Sequence, residues 1–96
     1  MSEPSCVQAH VYISGRVQGV FFRAFVRQKA LELGITGYVR NLRDRRVEAV
    51  FQGPLDKVQE MIHHVHEGPR FARVEKVSIQ WEEISDEFSK SFHILY

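Results

Sequence analysis

Val7-Gln8-Ala9-His10-Val11-Tyr12-Ile13, then Ser14, then Gly15-Arg16-Val17-Gln18-Gly19-Val20-Phe21-Phe22-Arg23 is the stretch on which the fold turns. In its first half Val7, Ala9, Val11 and Ile13 fall on one side and Gln8, His10 and Tyr12 on the other, the period of a half-buried strand. Beyond Gly19 the period changes. Phe22, Phe25, Val26, Ala30 and Leu33 recur at three- and four-residue spacing, the stripe of an amphipathic helix, and Gly34 stands where such a helix commonly stops. A strand that passes through a glycine-punctuated turn into a helix opens a fold in which helices cover a sheet.

Working outward, a second strand is predicted from about Thr36 through Asn41 and a third from about Arg46 through Phe51. Leu42-Arg43-Asp44-Arg45 between them has the length of a hairpin, so the two strands should pair antiparallel. Gly53-Pro54 ends the third strand and leads into a helix with Leu55, Val58, Ile62 and Val65 on one face, closed at Gly68-Pro69. Val77, Ile79 and Trp81 alternate in a fourth strand, a pattern that predicts core packing for Trp81. The polar stretch from Glu82 to Lys90 and a short terminal strand with Phe92, Ile94 and Tyr96 complete the chain. The order β-α-β-β-α-β, plus a short extra C-terminal strand, predicts an α+β fold. It is a ferredoxin-like α/β sandwich with an antiparallel sheet, two helices on one face and the other face open to water.

Ninety-six residues and 11.2 kDa fit one domain over 1–96, with 1–6 as a flexible N-terminus. A hydrophobic fraction of 44% against 26% charged is enough to build a core, which excludes a disordered chain. The net charge of +1 provides no broad field for nucleic acid or anionic membrane, so an anion must be held locally. The lone Cys6 has no partner for an internal disulfide or a CxxC site, which suits a reducing, cytoplasmic setting. No apolar run reaches the roughly 18 residues of a membrane span, and the polar Met1-Ser2-Glu3-Pro4-Ser5 is no signal peptide. A monomer is expected.

The segment Gly15 to Arg23 is the candidate site. Gly15 and Gly19 permit the positive φ that wraps backbone amides around an anion, and the helix start adds unpaired donors and a favourable dipole. The guest this suits is a phosphate-sized ion. The spacing matches neither G-x-x-x-x-G-K-[ST] nor G-x-G-x-x-G, which sets aside nucleoside triphosphates and dinucleotides. Arg23, on the first helical turn, could bind phosphate oxygens in a bidentate fashion. A glycine turn beside a solvent-facing arginine is the plainer alternative on spacing alone.

Gly15-Arg16-Val17-Gln18-Gly19-Val20-Phe21-Phe22-Arg23 followed by Gly37-Tyr38-Val39-Arg40-Asn41 resembles the acylphosphatase signature, G-x-V-Q-G-V-x-F-R followed by G-Y/W-V-R-N. The resemblance covers nearly the whole chain, including the element order and the terminal aromatic. It implies a cofactor-free and metal-free hydrolase that splits acyl phosphates into a carboxylate and inorganic phosphate. In it Arg23 matches the phosphate-binding arginine and Asn41 the water-orienting asparagine. The departure lies at Leu42-Arg43-Asp44-Arg45-Arg46, where the frequent L-P-D-G of the family lacks its glycine, so the turn geometry is open. Arg43, Arg45 and Arg46 are read as a solvated hairpin tip rather than as a steering patch.

A carboxylate leaves without a proton donor, so the chemistry reduces to placing water in line with the P–O bond and stabilising charge on the phosphoryl oxygens. No carboxylate lies within the two motifs to act as base, which leaves a phosphoryl oxygen to take the proton. Two other classes compete with this enzyme. A non-catalytic ferredoxin-like module could bind a small anion through the same loop. An RNA-binding module could use Tyr12, Phe51 and Trp81, although no RNP1-like run is present. His63, His64 and His66 are read as a solvated helix face rather than a metal site, with only His63 and His66 sharing a side. His10 and His93 are read as ordinary sheet residues, and Ser14 and Cys6 as structural rather than nucleophilic.

Overall fold

The computed structural model describes residues 6–84 and 90–96. Seven elements follow one another: β1 (Cys6–Arg16), α1 (Phe22–Leu33), β2 (Thr36–Asn41), β3 (Val47–Pro54), α2 (Leu55–Glu67), β4 (Arg73–Glu82) and β5 (Phe92–Leu95). The five strands form one sheet in the order β4-β1-β3-β2-β5. Pairings β1–β3, β1–β4 and β2–β3 are antiparallel, as the sequence predicts, whereas β5 joins β2 in parallel and makes the sheet mixed. Of the flexible N-terminus expected over 1–6, residues 1–5 fall outside the described residues and Cys6 opens β1; residues 85–89 of the polar stretch fall outside them too.

The alternation read in β1 is the one that folds: Ala9, Val11 and Ile13 are fully buried against α1 and α2, joined by Val39, Val47, Ala49 and Phe51. Helix α1 inserts Phe22, Val26 and Ala30. Helix α2 inserts Val58, Met61, Ile62 and Val65, so Met61 takes the place expected for Leu55, which lies in the first turn and is exposed. Gly34, left-handed at φ 70, closes α1 by donating its N–H to the carbonyls of Ala30 and Leu31. Pro54 ends β3 and caps α2 rather than standing inside the helix.

Trp81 departs from expectation. Register places it opposite Ala9, on the face of Val77 and Ile79, yet it is 49% exposed. It lies near the end of an edge strand, which has a neighbour on one side only.

The face turned away from the helices covers itself with polar side chains. Glu48 is 4% exposed and lies opposite Tyr12 on one side and Arg40 on the other. Its carboxylate accepts from His10 Nε2 at 2.7 Å, from Tyr12 Oη at 3.3 Å and from Arg40 Nε. Beside it, Gln52 donates to Gln8 at 3.0 Å and Gln8 to Glu82 at 2.7 Å. Burial pushes the Glu48 carboxyl up, but hydrogen bonds from His10 and Arg40 and the charge of Arg40 outweigh it and hold the group below its ordinary 4.5.

The β2–β3 hairpin solves the turn without glycine. Arg45 N–H donates to Leu42 O at 3.2 Å, Leu42 N–H to Arg46 O at 2.8 Å, and Asp44 Oδ1 accepts from Arg46 N–H at 3.1 Å. Arg45 itself takes the left-handed position at φ 77, the place of a glycine in a type I turn with a bulge.

Two predictions follow from these geometries. Arg45→Gly should stabilise the fold by about 0.5–1 kcal/mol, raising the thermal midpoint by a few degrees; an unchanged or lower midpoint would count against the strain. For Glu48, a depressed folded-state value means a stabilising contribution that is complete above about pH 4.5 and is lost as pH falls through the folded value. Urea titrations across this range should show Glu48→Gln less stable than the parent at neutral pH, with the gap narrowing below pH 4.5.

Candidate active site

The end of β1, the start of α1 and the end of β2 meet at one end of the sheet. Register puts Ile13 opposite Val47 and Asn41 opposite Val47, so the loop leaving Arg16 arrives beside Asn41. Alternation along β2 then settles which way Asn41 faces. It shares the side of the fully buried Val39, whereas Arg40 turns to Glu48 on the other face.

Between Arg16 and α1 the backbone coils. Gly19 (φ 74) and Phe21 (φ 63) are left-handed on either side of Val20, which is not. Phe21 is the N-cap of α1 and offers no side-chain acceptor; the first turn holds no acidic residue. The amides at the helix start therefore keep their donors and the positive end of the dipole uncovered. Val17 and Val20 anchor the coil in the core at 1% and 6% exposure.

Gln18 ties the coil to the hairpin. Its Nε2 donates to Leu42 O at 2.9 Å and to Arg46 O at 3.0 Å, fixing the residue after Asn41 relative to the loop.

A cleft of about 310 Å³ opens between these parts, with Gly19, Phe21, Arg23, Asn41, Ile94 and Tyr96 on its walls. The Arg23 guanidinium lies over the Tyr96 ring at 4.9 Å and donates to Leu95 O at 3.5 Å, and it pairs with no carboxylate among the described residues. No described carboxylate therefore neutralises its charge. Asn41 Oδ1 is buried and has no hydrogen-bond partner among the described residues, and Asn41 is one of the residues lining the cleft.

Of the residues singled out in the sequence, Val17, Gly19, Phe21, Phe22, Arg23 and Asn41 line this cleft. Gly15 and Arg16 do not. They lie in β1, opposite Val74 and Arg73, and border a separate cleft with Ser14, Asp44, Arg45, Arg46 and Glu75. Gln18 serves the hairpin and Val20 the core. Sequence reasoning missed Ile94 as a wall and Tyr96 as the partner of Arg23, because both arrive through the parallel pairing of β5 on β2; the terminal aromatic was the available signal. His63 pairs with Glu67 at 3.0 Å rather than grouping with His66. No group of three His, Cys, Asp or Glu forms a metal-sized cluster among the described residues.

The fold and cleft define a ferredoxin-like sandwich in which the loop between β1 and α1, the Arg23 guanidinium and the Asn41 side chain meet in one cleft. The acylphosphatase family model matches residues 9–94. An acylphosphatase of Roseiflexus sp. (strain RS-1) is 52% identical over 89 residues, 93% of this chain and 95% of that one. Another, of Chloroflexus aurantiacus, is 56% identical over 77 residues, 80% of this chain and 84% of its own. The crystal structure of acylphosphatase from Bacillus subtilis superposes with a TM-score of 0.90 at 36% identity, covering 94% of this chain and 99% of that one. The chain belongs to the acylphosphatase family, and its activity is that of an enzyme hydrolysing the carboxyl–phosphate bond of acyl phosphates.

Gln18→Ala removes two neutral hydrogen bonds while leaving each carbonyl its backbone donor, a loss of about 1–3 kcal/mol. Urea unfolding should report that loss, and kcat should fall with it because the hairpin positions Asn41; a variant as stable and active as the parent would remove Gln18 from the site's scaffold.

Proposed function

We propose that Arg23 and the amides between Gly19 and Ala24 hold the phosphoryl group while Asn41 orients the attacking water. The observation that carries this reading is the buried Asn41 Oδ1, without a partner among the described residues, in the same cleft as Arg23. A carbonyl oxygen accepts a hydrogen bond from water, which leaves a water lone pair free to point elsewhere. Directed at phosphorus, that lone pair forms the new P–O bond as the P–O bond to the acyl group breaks and its electron pair leaves on the carboxylate. The water proton passes to a phosphoryl oxygen. Charge on the phosphoryl oxygens is met by preorganised donors, the Arg23 fork and the helix-start amides, which need no rearrangement during the reaction.

This chemistry asks for no general acid, since the leaving carboxylate is stable unprotonated, and the reading is of a metal-independent, cofactor-free enzyme. The substrate is a small acyl phosphate and the product inorganic phosphate; no nucleic acid or membrane partner enters the reading. No helix among the described residues is long and apolar enough to cross a membrane. The reading is of a monomeric, cytoplasmic, single-domain enzyme, and the single cysteine, which has no partner for an internal disulfide, supports the reducing compartment.

Hydrolysis of benzoyl phosphate by the purified protein in excess chelator tests the assignment. Turnover should be unaffected by the chelator. Arg23→Ala should raise KM and lower kcat together, and Asn41→Ala should lower kcat by about 10²-fold with a smaller change in KM, the scale of one lost polar group acting on the transition state. Normal kcat in Asn41→Ala would overturn its role, and a folded parent that binds phosphate without turnover would leave a small-anion-binding module.

A further inference from the structure

Phe21 is costly where it stands. A bulky side chain in the left-handed region is an outlier, and Gly19, two residues earlier, adopts the same conformation with no Cβ to clash. Core packing does not account for the ring, because Phe21 is 81% exposed and the ring pair in this part of α1 is Phe22 with Phe25. It nonetheless lines the cleft that holds Arg23 and Asn41. A residue that both lines a cleft and remains largely exposed stands at its mouth. Strain kept at a functional cleft without a packing return points to use by the ligand.

The shape of the substrate says what that use is. An acyl phosphate has one highly charged end and one acyl end. With the phosphoryl group drawn to the cation and the amides, the acyl group is directed toward the mouth. There it meets the exposed face of Phe21, with Ile94 and the Tyr96 ring as further apolar surface on the same cleft.

We propose that the Phe21 ring is the platform for the acyl group and makes the enzyme selective for acyl phosphates with aryl or extended alkyl groups over acetyl phosphate. The inference rests on the acylphosphatase reading of this cleft. Contact with one ring removes only part of the acyl group from water, so the selectivity it contributes should be about three- to tenfold.

The test is the ratio of kcat/KM for benzoyl phosphate to that for acetyl phosphate in the parent and in Phe21→Asn, Phe21→Gly and Phe21→Trp. Asn and Gly tolerate the left-handed backbone, so the loop keeps its form while the ring is lost. Any disturbance of the phosphate cradle affects both substrates and cancels in the ratio. The expected result is a three- to tenfold fall in the ratio for Asn and Gly, carried by KM for benzoyl phosphate, and a retained or higher ratio for Trp. Equal ratios in the parent, Asn and Gly forms would overturn the platform while leaving the hydrolase reading intact. A parent that turns over neither substrate would overturn both.

Discussion

The pairing of β1 with β3 on one side and β4 on the other is the constraint on which the site depends. Through Ile13 opposite Val47 and Val47 opposite Asn41, the pairings of β3 with β1 and with β2 stop at one level, and β1 runs on along β4 to Arg16 before the coil begins. A slip of one residue in β2 against β3 would bury Arg40 and turn Asn41 to the open face, because side chains alternate at every residue. Close approach enforces this register. Gly37 has φ 135, and a Cβ there would lie 1.9 Å from Val50 O, so the strands meet at a distance only glycine allows. The site is thus a consequence of sheet register first and of loop sequence second, with Gln18 joining the two.

How legible this was in the sequence depended on how local each feature is. Helix α1 runs from Phe22 to Leu33 and β2 from Thr36 to Asn41, as periodicity and Gly34 indicate, because both are set by neighbours along the chain. That Gly19 and Arg23 share one cleft was legible for the same reason. The loop's outer boundary was not: whether Gly15 and Arg16 belong to the loop or to the strand is decided by β4, which continues opposite them past a register shift at Ser14/Gly15. Ile94 and Tyr96 reach the cleft by pairing between segments more than fifty residues apart in sequence, and no local pattern encodes that. Gln8, His10 and Tyr12 read as a solvent face, yet partners on β3 and β4 draw them into a hydrogen-bonded layer around Glu48 and Gln52.

That layer bears on the competing reading of the sheet as a platform for bases. Stacking successive bases requires aromatic rings on one exposed face. Here the three strand aromatics are divided. Tyr12 is on the polar face, stacked on His10 at 4.9 Å and covered by Arg46 at 4.8 Å. Phe51 is on the helix side, fully buried and stacked on Phe92 at 5.8 Å, and Trp81 is exposed on that same side at the edge. The ferredoxin-like sheet is retained, but its aromatic rings are committed to separate surroundings.

Two non-glycine residues in the described chain occupy the left-handed region, Phe21 and Arg45, and they flank the two halves of the site. Each such residue costs on the order of 1 kcal/mol or more, an appreciable share of the roughly 5–15 kcal/mol that holds a domain together. Their surroundings differ. At Arg45 the turn closes on itself, with Asp44 accepting from both the backbone and the side chain of Arg46, so local bonds offset the strain and the hairpin is a closed structural unit. At Phe21 no side-chain cap offsets it, and the ring and the neighbouring amides are directed to the cleft and to solvent. The first strain is answered by bonds within the fold, whereas at Phe21 no such bond offsets it and the residue lines the cleft of Arg23 and Asn41, where the proposed acyl platform gives the strained ring its use.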